Sequence, residues 1–505
     1  MTTHRDRQRR REREQRRLEQ RIQESCKKSG HAVPKTRREF LNQGLIGGAA
    51  TVFLPSLATL LAREAHAQAA ACIVDNGALL GAGKIPFLAI DQGGGANIAG
   101  SNVMVGGAGG QEDFLDADGY AKLGLPQAII PQNVGVDRTF GLAMHPNSAL
   151  LRGMLDKTTV ATQMNTNGCV IPARSENDTG NNPHNPVYGI ARAGANGEFA
   201  ATIGSRNTES GGRSRAPGSM IQAELRPVKV SNRNEAIGLG GGDDDGFPAG
   251  RVAAASAVLS ALKLGKIDEQ QATKELLQCG YDKSAATFNT VVTPQDLDPE
   301  ADPVLQSIFP NGQLNEGNFR KAAAAMKVVV NGYGGAGTIE YGGRDYHQDP
   351  RPETDGKDFV IGQVIGASLE YAAQLQKPLM IYCFSDGAVS ASNNEEDDGN
   401  GTAKFRWQSD NSQTAASIIL VYNPNGQPIL RNGVASQQLG YFRSGGNVET
   451  SSSPFANSVN ALAEMVVLNY LGLHGEEAMF GAVLDNPGLG TGAAVAPYIA
   501  FEAIV

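Results

Sequence analysis

Two short segments of this sequence carry side chains that could bind one metal ion. Asp345 and His347 stand two positions apart, a few residues after a predicted strand, and Asp386 lies at the end of the next predicted strand. Carboxylate oxygens and imidazole nitrogens are suitable ligands for Zn, Mn or Fe, and Ca²⁺ also takes carboxylates. We therefore predict that the three side chains converge within about 6 Å on one divalent ion, with a protein without any cofactor as the alternative.

Three further residues could contact a substrate. Arg344 could clamp an oxyanion with its planar guanidinium, and Ser385 precedes the strand-end Asp386. His184 lies in a polar segment rich in asparagine, where it could serve as a ligand or simply be exposed. The alternative for both strand ends is turn chemistry alone, with Asp345 and Asp386 bonded to nearby backbone N–H groups.

Several other known catalytic and cofactor-binding motifs are absent from the sequence. Only four of the seven histidines follow residue 67, so a histidine-rich metal centre is difficult to assemble. We find no G-x-S-x-G elbow, no Walker loop and no Rossmann glycine pattern between a strand and a helix. Acidic clusters at 243–245, 296–302 and 395–398 could hold Ca²⁺, but they lack an EF-hand spacing, and we predict solvated loops.

The alternation of strands and helices predicts the element that positions these residues. Predicted strands cover 85–91, 158–164, 337–341, 378–384 and 416–422, and predicted helices cover 148–155, 252–264, 269–279, 319–330, 359–376 and 456–473. This pattern indicates an α/β fold with a mostly parallel sheet, interrupted by long loop insertions near 204–250 and 390–414. Ligands of such sheets bind at the carboxyl ends of the strands, where Asp91, Asp345 and Asp386 are placed.

The N-terminus is typical of an export signal. Arg37 and Arg38 begin the segment 37–41 (RREFL), residues 40–62 carry no charge, and 65–67 (AHA) fits a cleavage site. This order indicates a secretory signal, and the paired arginines indicate the twin-arginine route. We therefore expect a leader at 1–67, one large domain at 68–505, the Tat machinery as partner and a periplasmic or secreted protein. The alternatives are a membrane anchor, since 23 uncharged residues can span a bilayer, and lipidation at Cys72.

Charge and cysteine content limit the partners. Residues 1–67 hold 15 Lys+Arg and 7 Asp+Glu. The remainder holds 29 Lys+Arg and 45 Asp+Glu, which gives it a net charge of −16. Such an acidic body excludes nucleic acid as the expected partner, although a basic nucleic-acid arm is the alternative for the leader. Membrane contact is expected only through the signal peptide. Four cysteines follow the leader and permit two disulfides, but we predict Cys383 to be a buried thiol.

These segments together resemble a known family. The residues 37–41, 91–95, 140–146, 343–347 and 384–387 are similar to motifs of Tat-exported bacterial proteins of unknown function, which are distantly related to alkaline phosphatases and sulfatases. The resemblance implies a three-layer α/β/α fold of the alkaline-phosphatase type. It also implies one or two divalent metals at strand ends, with Asp345, His347 and Asp386 at metal-ligand positions.

The sequence departs from the family pattern at several ligand positions. Glu176 and Gly387 stand where histidines are expected, Asp410 is followed by Asn411 instead of a histidine, and an acidic residue is missing near Asn97. The resemblance therefore implies an exported envelope protein with an incomplete metal site. Such a protein either lacks catalytic activity or has an activity that is unknown. The alternatives are a metal-dependent phosphate or sulfate ester hydrolase and an exported redox or cofactor-binding protein.

Overall fold

A seven-stranded sheet forms the centre of the protein. The computed structural model describes residues 83–176, 182–240 and 293–505. In these residues the strands are β1 (Phe87–Gly95), β2 (Thr166–Pro172), β3 (Ala200–Gly204), β4 (Val228–Lys229), β5 (Gly334–Asp345), β6 (Leu379–Ser385), β7 (Val389–Asp397), β8 (Ala403–Asp410), β9 (Ala416–Tyr422) and β10 (Arg431–Val434). The α-helices are α1 (Ala117–Lys122), α2 (Pro131–Val134), α3 (Ala149–Lys157), α4 (Val160–Met164), α5 (Val187–Arg192), α6 (Arg233–Gly238), α7 (Pro294–Leu297), α8 (Pro303–Ile308), α9 (Gly317–Val330), α10 (Arg351–Gln374), α11 (Val459–Gly472) and α12 (Phe480–Val483).

The sheet is mostly parallel, as the sequence predicts. Its strand order is β2-β9-β6-β1-β5-β3-β4. The pairs β6–β1, β1–β5, β5–β3 and β3–β4 are parallel, whereas β9 runs antiparallel to both β6 and β2. The strands β7 and β8 form a separate two-stranded sheet within the polar insertion. The carboxyl ends of β1, β5 and β6 therefore meet at one edge.

Helices cover both faces of the sheet. In β1, Leu88 and Ile90 belong to one buried core, which also contains side chains of α3, α9 and α10. Phe87 and Ala89 belong to a second core on the opposite face, with side chains of α5 and α11. A strand that is buried on both faces appears as a continuous apolar run, and this explains why the central strands could be located from the sequence.

One predicted strand is wrong. Residues 158–164 were expected to form a strand, but the structure has the helix α4 there, and β2 begins only at Thr166. Thr159 caps this helix, because its side-chain oxygen accepts a hydrogen bond from the N–H of Thr162. Glu370 on α10 also accepts hydrogen bonds from both threonines. Capping and a buried carboxylate thus outweigh the strand preference of a run rich in threonine.

The acidic clusters at 296–302 and 395–398 are less solvated than predicted, and the cluster at 243–245 lies outside the described residues. Asp298, Asp302 and Asp398 are buried. Asp302 caps α8 and pairs with Lys327 at 2.7 Å, and Asp398 lies 3.1 Å from the ammonium of Lys404. These carboxylates cap a helix and form ion pairs with lysines. A run of acidic residues in the sequence does not predict either role.

Several predictions lie outside the described residues: the leader with Arg37 and Arg38, the helices at 252–264 and 269–279, and the cysteines Cys72 and Cys279. Within the described residues, Cys169 and Cys383 are free buried thiols, which confirms the prediction for Cys383. No helix in that part of the chain has the length and apolar character needed to cross a membrane.

Candidate metal centre

The carboxyl edge of the sheet brings together three acidic strand ends. Asp345 is the last residue of β5, and Asp386 directly follows β6. Asp410 ends β8, the second strand of the insertion. The backbone N–H of Asn411 bonds the carbonyl of Ala388, so the end of β8 is held next to the turn that follows β6.

Asp345, His347 and Asp410 form an exposed cluster that could bind a metal ion. Each contributes one possible ligand atom, and the three atoms lie within 4.8 Å of one another. The N–H of His347 donates to the Asp345 carboxylate at 3.1 Å, and the His347 Nδ1 atom lies 3.9 Å from an Asp410 oxygen. Two carboxylates and one imidazole form a ligand set suited to Zn, Mn or Fe.

The local backbone explains how two elements meet at this cluster. After His347 the chain turns through Gln348, whose φ of 63° lies in the left-handed region. The carbonyl of Gln348 accepts a hydrogen bond from Arg406 on β8 at 2.6 Å, and Arg406 also pairs with Glu396 on β7. The insertion is thereby attached to the turn that carries His347, and Asp410 lies beside that imidazole.

Asp386 is buried and does not belong to this cluster. Its Oδ1 atom accepts a hydrogen bond from the N–H of Gly94 at 2.7 Å, and its backbone carbonyl accepts one from Asn182. Its Oδ2 atom has no hydrogen-bond partner among the described residues. Burial raises the pKa of Asp386 to about 7, although the hydrogen bond from Gly94 lowers it.

His184 lies next to the strand that leads to Asp386. Its ring stacks on that of Phe384 with centroids 6.0 Å apart, and it follows Asn182 by two residues. Both ring nitrogens are buried and lack a hydrogen-bond partner among the described residues. Burial lowers the pKa of His184 to about 3, so the imidazole is neutral at physiological pH. The alternative of an exposed His184 is therefore wrong, and its role as a ligand stays a prediction.

Asp91 holds the loop that covers this edge. Its carboxylate accepts hydrogen bonds from the N–H groups of Arg213 and Ser214 and from the Ser214 hydroxyl, at 2.7 to 2.8 Å. Asp91 is fully buried, and burial raises its pKa to about 6 despite these bonds. The role of Asp91 is therefore to fix the loop at 208–215 over the strand ends.

The two other predicted contact residues have different surroundings. The Ser385 hydroxyl donates to the carbonyl of Gln92 at 2.8 Å and accepts from the N–H of Ala96 at 3.0 Å. These bonds connect β6 to the turn after β1, so Ser385 has a structural role. Arg344 is buried beside the ring of Tyr341, and its Nη1 atom has no hydrogen-bond partner among the described residues.

Two of the three predicted ligands, Asp345 and His347, thus lie together in the cluster. The third possible ligand atom there belongs to Asp410, whereas Asp386 lies outside the cluster. The reason is that the Asp386 side chain turns inward to the Gly94 N–H, whereas Asp345 is exposed. The signal for Asp410 was its place before Asn411, where the resembled family has a second aspartate–histidine pair.

The fold and the site define an α/β protein with a carboxylate–imidazole cluster at the carboxyl edge of a mostly parallel sheet. The chain matches no protein-family model, no curated protein and no solved structure. Its function therefore has to be argued from the site.

Proposed function

We propose that this protein is an exported envelope protein that binds one divalent metal ion through Asp345, His347 and Asp410. Its export signal is the segment with Arg37 and Arg38, and its mature part is 68–505 with an alkaline-phosphatase-like three-layer fold. The mostly parallel sheet with helices on both faces supports this fold. The twin-arginine route carries folded proteins, and this suits a chain that takes up its metal before export.

The observation that carries the proposal is the cluster itself. Three ligand atoms of two chemical types lie within 4.8 Å of one another, on two elements that are joined by hydrogen bonds. The His347 side chain is 39% exposed, so an ion can reach it from solvent. The imidazole favours Zn, Mn or Fe over Ca²⁺, which prefers oxygen ligands alone.

Elemental analysis tests the metal. Protein purified from the periplasm should contain about one metal ion per chain, and Asp345→Asn, His347→Asn and Asp410→Asn should each lose most of it. Glu395→Gln removes an exposed carboxylate of the same insertion and should leave the content unchanged. Equal metal content in all five proteins would reject the site.

Fractionation tests the export. The double change Arg37→Lys and Arg38→Lys should retain the uncleaved chain in the cytoplasm, whereas Arg16→Lys and Arg17→Lys in the same basic leader should not. Normal export of the first variant would show that the paired arginines are not the signal.

Metal-dependent hydrolysis of phosphate or sulfate esters is the second candidate. It is favoured by the exposure of a cluster with three protein ligands, because catalytic metal sites keep a position open for water or substrate. Ser385 is unsuited as the nucleophile, since its hydroxyl is bonded to the backbone on both sides. A panel of phosphate and sulfate esters should show turnover that requires both added metal and Asp345. Turnover that is unaffected by Asp345→Asn would exclude this activity for the site.

A further inference from the structure

A cavity lies at the amino edge of the sheet, opposite the edge that carries the exposed cluster. It is found where β1, β5 and β6 begin, next to the last turn of α9 and the loop between α5 and β3. Its volume is about 250 Å³, close to the lower end of the range of small-molecule sites, which begins at about 300 Å³. Val505, one of the residues that line it, is 58% exposed, so a ligand can enter from solvent.

The walls of this cavity are mostly apolar. They include Ile85, Phe87, Val329, Val330 and Pro378. Ile85 and Phe87 belong to one of the two buried cores, and Val329 and Val330 belong to the other, so the cavity lies where both cores reach the sheet edge. No acidic side chain of the described residues lines it. Such surroundings favour a ligand with a hydrocarbon chain, because apolar surface is transferred out of water on binding.

One ammonium group in the cavity has no acidic partner within the described part of the chain. Lys377 is half-buried and donates a hydrogen bond to the carbonyl of Val330 at 3.0 Å, but no described carboxylate forms an ion pair with it. Burial and the nearby charge of Lys327 both lower the pKa of Lys377. The other lysine of the cavity, Lys84, already pairs with Glu476. Because an ammonium can donate three hydrogen bonds, Lys377 retains donors for an anionic group.

We propose that this cavity binds a small aliphatic carboxylic acid, with its carboxylate at Lys377 and its hydrocarbon chain against the apolar walls. The carboxylate supplies the opposite charge that Lys377 lacks, through a charge-assisted hydrogen bond. Burial of the chain supplies the rest of the affinity. The cavity shares no residue with the exposed cluster or with the export signal, so this proposal stands independently of the proposed function.

Titration calorimetry of the purified protein with linear carboxylates from butanoate to octanoate tests the proposal, and 1-octanol serves as the uncharged ligand. Affinity should rise by about fourfold for each added methylene group, the factor that corresponds to the burial of one methylene. Lys377→Met keeps an apolar side chain but removes the charge, so it should weaken octanoate binding by about tenfold or more. The same variant should change binding of 1-octanol by less than about twofold. Lys377→Arg retains the charge and should keep most of the affinity for octanoate.

Two further variants distinguish the cavity from the rest of the surface. Asn196→Trp places a large ring at a residue that lines the cavity, so it should weaken binding of octanoate and 1-octanol alike, by about tenfold or more. Lys122→Met is the matched control, because Lys122 is also half-buried with a pKa lowered by burial but lies outside the cavity. It should change octanoate binding by less than about twofold.

Three results would overturn the proposal. The first is an absence of octanoate binding by the wild-type protein, and the second is an equal loss of octanoate binding in Lys377→Met and Lys122→Met. The third is an equal loss of octanoate and 1-octanol binding in Lys377→Met, because the lysine would then only shape the cavity.

Discussion

Lys404 is expected to be the most important single charge for anchoring the insertion that carries Asp410. It lies at the turn end of the β7–β8 hairpin with its side chain 1% exposed. Its ammonium pairs with Asp355 on α10 and with Asp398, and it donates to the carbonyl of Asn147 at 2.8 Å. Replacement by methionine keeps the length of the side chain but removes the charge that neutralises two buried carboxylates.

The structure indicates the size of the effect. Removing one partner of a buried ion pair typically costs 3–5 kcal/mol, because an uncompensated charge remains inside the protein. Here Asp355 retains Arg351 at 3.0 Å and Asp398 retains Arg152 at 3.7 Å, so the loss should lie near the lower end, about 3 kcal/mol. Lys357→Met is the control, because Lys357 forms two ion pairs at the surface, and the loss should stay below about 1 kcal/mol.

The sequence contains a natural probe for this experiment. Trp407 is its only tryptophan, lies on β8 three residues after Lys404, and is 1% exposed against the guanidinium of Arg351. Urea unfolding followed by tryptophan fluorescence therefore reports on the hairpin, while circular dichroism reports on the whole fold. Lys404→Met should shift the fluorescence transition to lower urea by more than Lys357→Met does. A loss below 1 kcal/mol, or equal losses for both variants, would refute this account of the buried charges.

Two further predictions concern the buried edge and the helix packing. Burial raises the pKa of Asp386 from 3.8 to about 7, so the folded protein keeps a proton that the unfolded chain releases, and stability should fall as pH rises from about 4 to 7. The difference in pKa between the folded and unfolded states corresponds to about 4 kcal/mol of stability. Asp386→Asn should therefore flatten the dependence of the urea midpoint on pH. An unchanged slope would contradict the raised pKa of Asp386. Gly362→Ala should cost about 1–3 kcal/mol, because its Cβ would lie 2.1 Å from the carbonyl oxygen of Leu150 on α3. Gly356→Ala, in open space on the same helix, should not destabilise the protein. Equal thermal midpoints for the two variants would show that α3 and α10 are not closely packed.

The central strands and long helices could be predicted because burial on both sides leaves an unmistakable pattern. β6 and β9 each contain one serine among otherwise largely apolar residues, and α9, α10 and α11 have apolar residues at helical spacing. The error at 158–164 arose where a side-chain cap and a distant carboxylate decide the structure. Neither the partner Glu370, more than 200 residues away, nor the cap geometry is visible in a local pattern.

The site was predictable to the level of strand ends but not of side-chain direction. Parallel strands end at the same edge, so Asp345 and Asp386 had to lie in the same region. Whether a carboxylate turns outward or inward depends on the nearest donor, and for Asp386 this donor is a backbone N–H at Gly94. Asp410 and Arg213 reach the edge from an insertion and a loop, whose paths are set by hydrogen bonds to Ala388, Gln348 and Asp91.

Lys404 and one residue of the exposed cluster, Asp410, lie on the same hairpin, and we expect this to couple stability to metal binding. Lys404 anchors the turn end of β8, and Asp410 at its other end offers a possible ligand atom. An ion that binds the folded cluster adds RT ln(1 + [L]/Kd) to stability, about 2.7 kcal/mol at a concentration one hundred times Kd. Metal should therefore recover much of the stability that Lys404→Met loses, and by reciprocity that variant should bind metal more weakly although no ligand has changed. The weaker binding is the informative result, because any folded protein that binds an ion is stabilised by it, whereas a hairpin that takes no part in the site would leave the affinity unchanged.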